Sequence, residues 1–147
     1  MSLDLLNAEF AELGGLFPDA ALPPNCSSFM QGEYVRYESR TLLAASFPVR
    51  EEYLNPMKVM QGGFITAAFD NVFGPLSYLA ARTPCTTLEL HTVYIRPIAP
   101  GDRLTVTARI VSRGASALHL SAEGVNAKGK LTATATASMV PLRITRP

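Results

Sequence analysis

The stretch VMQGGFITAAFDNVFGPLSYLAA, residues 59–81, is apolar on nearly every side of a helical projection and carries one charge, Asp70. Its length is that of a membrane span. Gln61, Asp70, Asn71 and Ser77, the Gly62-Gly63 pair and the Gly74-Pro75 break do not suit lipid. A helix apolar on every side is otherwise a central core helix, and that is the reading taken here. Pro75 removes an intrahelical hydrogen bond, so a kink or an end is expected near Gly74.

The rest of the chain supplies what such a helix packs against. Upstream, Tyr34 to Arg50 reads as two short strands with a turn near Glu38-Ser39-Arg40. Asn55-Pro56 then disfavours helix at Asn55. Downstream of Pro84 the segments TTLELHTVYIRPI, DRLTVTARIVSR, SALHLSAEGVNA and KLTATATASMVPL alternate or are β-branched. Short breaks separate the last four strands, which implies an antiparallel meander. The alanine side of residues 131–137 is expected to meet something bulky at close range. At the other end, residues 2–13 place Leu3, Leu6, Phe10 and Leu13 at helical spacing, with Ser2 as cap and Gly14-Gly15 as the stop. The proline-rich LFPDAALPPNCSS that follows reads as an ordered surface loop. Two strands, one very apolar helix and four strands predict an α+β domain of about six strands in one antiparallel sheet curled around the helix. The N-terminal helix and loop, about 1–30, is an addition to it.

Composition narrows the function. Of 147 residues, 48 % are hydrophobic and 17 % charged, and the net charge is +1. Such a chain is globular, and it carries no field for steering nucleic acid or an anionic membrane. The cysteines, Cys26 and Cys85, form no CxxC, and His91 and His119 lie far apart, so neither a disulfide scaffold nor a metal centre is expected. The start, Met1-Ser2-Leu3-Asp4, lacks the basic and apolar regions of a signal peptide, so a cytoplasmic location is the expectation.

Asp70 is the first chemical candidate. A carboxylate amid Phe69, Val72 and Phe73 must be paired, hydrogen-bonded or exposed in a cleft. It is a catalytic group or a structural one. Gln61-Gly62-Gly63 is the second. Glycines at the start of a helix present N–H groups at its positive end, suited to a phosphate, a carboxylate or a developing oxyanion. The steric alternative is that backbones approach closely there. Gly63 and Asp70 are two helical turns, about 10 Å, apart, which hints at a site shared between subunits. Asn55 alone reads as a turn residue, and Thr86 and Thr87 begin a strand. His91 and His119 sit in strand patterns away from any nucleophile elbow. Arg96-Pro97 and Arg113-Gly114 stand at strand ends, where each arginine meets either solvent or a phosphate.

Asn55, Gln61-Gly62-Gly63, Asp70, the threonine-led strand ending in Arg96-Pro97, and Gly129-Lys130-Leu131-Thr132-Ala133-Thr134-Ala135 together resemble the hotdog-fold acyl-CoA thioesterases of the PaaI type. The likeness covers roughly residues 30–140, and that family's fold is a sheet wrapped around a central helix. The resemblance implies one hotdog domain over 1–147 that hydrolyses an acyl-CoA to free acid and CoA without a cofactor. It implies Asp70 as general base or nucleophile and the Gly63 N–H, with Gly62, polarising the thioester carbonyl. Asn55 and Gln61 would position water or the thioester. Thr87, or its neighbour Thr86, would help hold the water, and Arg96 and Arg113 are candidates for the CoA phosphates. It implies a dimer or dimer of dimers in which the helix start and the Asp come from different subunits. The family usually has His where Gln61 stands; Gln hydrogen-bonds but moves no proton. A non-catalytic acyl-CoA-binding module is therefore an alternative. A hotdog hydratase or dehydratase is a further one, disfavoured because Pro75 stands where its His would be.

Overall fold

The computed structural model describes residues 3–143. Helix α1 (Asp4–Leu16) and a short α2 (Asn25–Phe29) precede strands β1 (Glu33–Glu38) and β2 (Leu42–Pro48). A single 3-10 turn at Glu51–Tyr53 leads to the long helix α3 (Gly62–Ala81). Strands β3 (Cys85–Tyr94), β4 (Arg103–Arg113), β5 (Leu118–Val125) and β6 (Leu131–Pro141) complete the chain. All six strands form one antiparallel sheet in the order β1-β2-β4-β5-β6-β3.

The sheet buries one face against α3. Leu104, Val106 and Ala108 of β4, Leu118, Leu120 and Ala122 of β5, and Ala133, Ala135, Ala137 and Met139 of β6 are buried at period two. Phe69, Val72, Phe73 and Leu76 of α3 are wholly buried in the same cluster. The small alanine face of β6 thus turns inward, where bulky α3 side chains lie. At Gly124 of β5 an added Cβ would lie 3.0 Å from Leu104 and 3.3 Å from Phe69, so helix and sheet meet there without room for a side chain.

Several expectations need correction. The strands after α3 are not one meander: β4, β5 and β6 are, but β3 pairs with β6 at the far edge. The segment after Tyr94 crosses the helix start to reach β4, held where the N–H groups of Ile95 and Arg96 both donate to the Thr132 carbonyl. Helix α3 begins at Gly62 rather than Val59, because Met60 donates to the Ile98 carbonyl and Gln61 to that of Tyr53. It does not end at Gly74. A proline inside a helix costs about 3 kcal/mol, whereas each fully buried large side chain contributes about 1.5–3 kcal/mol. Phe73, Leu76 and Leu79 flank Pro75 and are all buried. Helix α1 likewise passes through Gly14-Gly15 to Leu16, at a cost on the order of 1 kcal/mol per glycine. Burial of Leu6, Phe10 and Leu13 outweighs it. The proposed cap Ser2 lies outside the described residues, and Leu3 stands at the cap position without a side-chain bond. The proline-rich loop contains α2, which sequence periodicity did not reveal.

Polar contacts fix α1 to the rest. Glu9 accepts hydrogen bonds from Tyr37 and from Ser39, the latter at 2.9 Å, and Glu12 pairs with Arg82 at the end of α3. Burial, then the bond to Glu9, pushes the Tyr37 phenol up to about 12. No helix among the described residues is long and apolar enough to cross a membrane.

Phe69 touches both layers of the core. Phe69→Ala is expected to lower the unfolding free energy by about 3–5 kcal/mol, whereas Leu5→Ala on the exposed side of α1 should change it by less than about 0.5 kcal/mol. Urea titration of both variants checks the pair.

Candidate active site

Helix α3 is buried on all sides but one. Gly63, Ala67, Asp70, Gly74 and Tyr78 follow one another at three- and four-residue spacing, and each is exposed or half-buried. This stripe holds the two strongest sequence candidates, Gly63 and Asp70, on the same side of the helix. Seven residues separate them, about 10 Å along the axis.

Asp70 is exposed to solvent and is not an isolated core charge. Its Oδ1 accepts a hydrogen bond from the Thr87 hydroxyl at 3.2 Å. Thr87 reaches it because of a β-bulge. Thr87 pairs with Met139 and Glu89 with Ser138, so Leu88 is the extra residue. The bulge turns Thr87 toward α3 on the same face as Leu90, Thr92 and Tyr94. Glu89, His91 and Val93 point to the outer face. The geometry therefore separates Thr87 from Thr86, whereas strict alternation along the sequence would put Thr86 on the face of Leu90, Thr92 and Tyr94. His119 also lies on the outer face, with Nδ1 2.9 Å from the Ser138 hydroxyl, so neither histidine approaches Asp70.

The helix start is held from three sides. Beyond the backbone bonds of Met60 and Gln61, Tyr53 stacks on Phe64 with centroids 4.7 Å apart. Asn55 Oδ1 accepts from the N–H groups of Met57 at 2.9 Å and Val59 at 3.3 Å, so this side chain organises the loop leading to the helix. Gln61 sits at the cap position, exposed, and makes no side-chain capping bond. The first N–H groups of a helix lack intrahelical acceptors. Phe64 and Ile65 donate to the Gln61 carbonyl, whereas the N–H groups of Gly62 and Gly63 meet no acceptor among the described residues.

The two glycines differ in their reason. A Cβ at Gly62 would stand 2.9 Å from the Tyr94 ring, whose hydroxyl donates to the Gly62 carbonyl at 2.9 Å. That hydroxyl also lies 2.6 Å from Thr66 Oγ1, which donates to Thr92 at 2.9 Å. Gly62 thus fits the steric reading. A Cβ at Gly63 would meet nothing within 4 Å. No neighbour in the chain demands glycine there, and Gly63 is exposed at the positive end of the helix. Tyr94, Thr66 and Thr92 were not found from the sequence. Period two marks 92 and 94 as one face, but nothing local says that this face meets the helix start.

The two arginines are engaged elsewhere. Arg96 donates to the Leu131 carbonyl at 3.0 Å. Arg113 donates to the carbonyls of Ala80 at 3.3 Å and Arg40 at 3.4 Å, where it caps the negative end of α3. Ala80 lies ten residues beyond Asp70, about 15 Å along the helix. Among the described residues no three His, Cys, Asp or Glu side chains gather to hold a metal.

The contrast between the glycines is measurable. Gly62→Ala should displace Tyr94, sever its bonds and lower stability by about 1–2 kcal/mol. Gly63→Ala should leave stability unchanged or raise it by up to about 1 kcal/mol. Equal losses in thermal unfolding would remove the distinction.

Comparison with known proteins follows the same lines. The thioesterase superfamily model matches residues 57–133, a little over half of the chain. The Escherichia coli PaaI protein from the phenylacetic acid degradation operon superposes with a TM-score of 0.79 at 18 % identity, covering 93 % of this chain and 95 % of its own. A putative thioesterase of Ralstonia eutropha, described as phenylacetic acid degradation-related, gives 0.74 at 27 % identity over 87 % and 98 %. A Streptococcus mutans protein solved with acetyl CoA bound gives 0.72 at 22 % identity over 78 % and 91 %. Comparison with curated proteins gives no match. The family match over α3 and the strands that wrap it, with these superpositions, shows that the chain belongs to the thioesterase superfamily and has the hotdog fold of its PaaI-like members.

Proposed function

We propose that the protein hydrolyses an acyl-CoA thioester to the free acid and CoA, as a single hotdog domain acting within a dimer. The observation that carries this reading is the open stripe of α3, which holds an exposed, Thr87-bonded carboxylate two turns from an exposed glycine whose N–H meets no acceptor among the described residues. Thioester hydrolysis needs both: a base or nucleophile at the carbonyl carbon, and a donor where negative charge develops on its oxygen. Asp70 supplies the first. As general base it takes a proton from water while the water oxygen attacks the carbonyl carbon; as nucleophile its own oxygen attacks and water releases the acid afterwards. Either way the thiolate of CoA departs and is protonated. Thr87 holds the Asp70 carboxylate, and with it the water, in position. The Gly63 N–H stabilises the oxyanion, with Gly62 beside it.

Asn55 and Gln61 complete the oxyanion side. Asn55 spends its side-chain oxygen on its own loop, which leaves the amide end for the substrate. Gln61 orients the thioester by hydrogen bonding and transfers no proton. Arg96, close to the end of β3, remains a candidate for the CoA phosphates. Arg113, at the far end of α3, contacts them only if the nucleotide extends that far.

One subunit cannot bring Gly63 and Asp70 to the same carbonyl across about 10 Å. Strand β3 suggests how two subunits do. It is a ten-residue edge with Leu88 68 % and Tyr94 53 % exposed, and such an edge invites pairing with another. Pairing two β3 edges antiparallel would set the start of one α3 against the middle of the other. A dimer of dimers would add to this unit without altering the site. The acetyl CoA held by the Streptococcus relative supports a CoA thioester as ligand. A net charge of +1 gives no field for steering nucleic acid or an anionic membrane. The cytoplasm suits an enzyme that consumes CoA thioesters.

Asp70→Asn should keep the fold and cut turnover by about 10²–10⁴-fold. Gln61→His should stay within about tenfold of the parent, since either side chain hydrogen-bonds. Rates on acyl-CoA with a thiol reagent check both. Parental rates in Asp70→Asn would remove the mechanism. A gain of several hundredfold in Gln61→His would mean that Gln61 disables the chemistry, which favours a non-catalytic acyl-CoA-binding module.

A further inference from the structure

A cavity of about 240 Å³ opens beside Asp70. Asp70, Asn71, Gly74, Pro75 and Tyr78 of α3 form one wall, Cys85, Thr87 and Met139 of the sheet another. The segment 20–26, between α1 and α2, closes it from above with Ala20, Ala21, Leu22, Pro24 and Cys26. We propose that this cavity is the acyl pocket of the site and takes a linear acyl group of medium length, with Gly74 and Tyr78 setting its depth. The inference rests on the proposed thioesterase reading and adds to it the class of acyl group.

The shape follows from the helix. Asp70, Gly74 and Tyr78 are spaced by four, so they line one face, and Asp70 to Tyr78 is about 12 Å along the axis. An acyl chain whose carbonyl sits at Asp70 therefore runs along α3 over Gly74 and stops at Tyr78. Gly74 leaves the wall open: an added Cβ there would meet nothing within 4 Å. The ring of Pro75 gives a second reason for glycine at this position, since it crowds a preceding Cβ in a helix. The space over Gly74 exists whatever the reason, and it belongs to the cavity.

The buried amide of the wall is satisfied away from the acyl chain. Asn71, buried, accepts a hydrogen bond from the Cys26 thiol at 2.8 Å and directs Nδ2 to the Met30 sulfur at 3.5 Å. These contacts clasp α2 to α3, and the loop before α2 lines the cavity, so the N-terminal addition serves as the roof of the pocket. Beyond Tyr78 lies a second cavity of about 360 Å³, walled by Leu16, Phe17, Pro18 and Pro84. Ala20 and Tyr78 line both, so the Tyr78 ring stands as a partition between them.

The test compares acetyl-, octanoyl- and palmitoyl-CoA. The parent should prefer octanoyl-CoA. Gly74→Leu, and independently Ala20→Leu from the roof, should lower the octanoyl-to-acetyl ratio of kcat/KM by about tenfold or more. Tyr78→Ala should raise the palmitoyl-to-octanoyl ratio by a similar factor by joining the two cavities. A second readout needs no turnover. Cys26 is exposed while burial raises the Cys85 thiol pKa, so N-ethylmaleimide should modify Cys26 first, with the adduct located by mass spectrometry. The non-hydrolysable thioether S-octyl-CoA should slow that modification, and desulfo-CoA, which has no thiol to consume the reagent, should not. Hydrolysis with ratios unmoved in all three variants would overturn the pocket and leave the enzyme reading intact. Protection of Cys26 without any hydrolysis would uphold the pocket and overturn the enzyme reading. No protection by S-octyl-CoA would overturn the pocket whether or not hydrolysis of octanoyl-CoA is seen.

Discussion

Burial of α3 on all sides but one is the constraint on which the rest of the structure depends. A helix with Phe69, Val72, Phe73 and Leu76 wholly buried needs cover on more than one side, and a flat sheet gives cover on one. The sheet therefore curls, and α1 and α2 pack against what the strands leave open. The cover is incomplete along a single stripe. That stripe carries Gly63, Asp70, Gly74 and Tyr78, so the same packing that stabilises the fold decides where a ligand has access.

The central helix, the strands and most of their boundaries were legible because their hydrophobic periods are long and distinct. The strand order was not. Short turns read locally as a meander, yet β3 lies beside β6, a pairing set by how the chain passes over the start of α3. Helix α1 was ended too early at Gly14-Gly15, and of the kink or end expected near Gly74 the end does not occur: local propensity favours a stop at both places, and tertiary burial of Phe10, Leu13, Phe73 and Leu76 overrides it. Asp70 and the glycine pair stood out as candidates by composition alone. Which glycine is steric and which open required the position of Tyr94, and that Thr87 rather than Thr86 bonds Asp70 required a bulge. The roof over the proposed acyl pocket was illegible, since a five-residue helix shows no period.

The site uses few interactions, and each is tied to a structural element. Thr87 is aimed by the bulge, the Gly63 N–H by the cap geometry at Gln61, and the helix start by Tyr53, Phe64 and Ile98. In the proposed reading these parts act between two subunits, because a rigid helix holds Gly63 and Asp70 about 10 Å apart.

That sharing between subunits is tested most directly by mixing two inactive chains. One carries Asp70→Asn and the other Gly63→Leu, each expected to be folded, dimeric and nearly inert. Co-expressed and purified as the mixed dimer, they should regain up to about half the parental turnover per dimer, since one of the two sites then joins an intact Gly63 to an intact Asp70. A mixed dimer as inert as its parents would contradict a shared site, and a monomer by light scattering would contradict it outright.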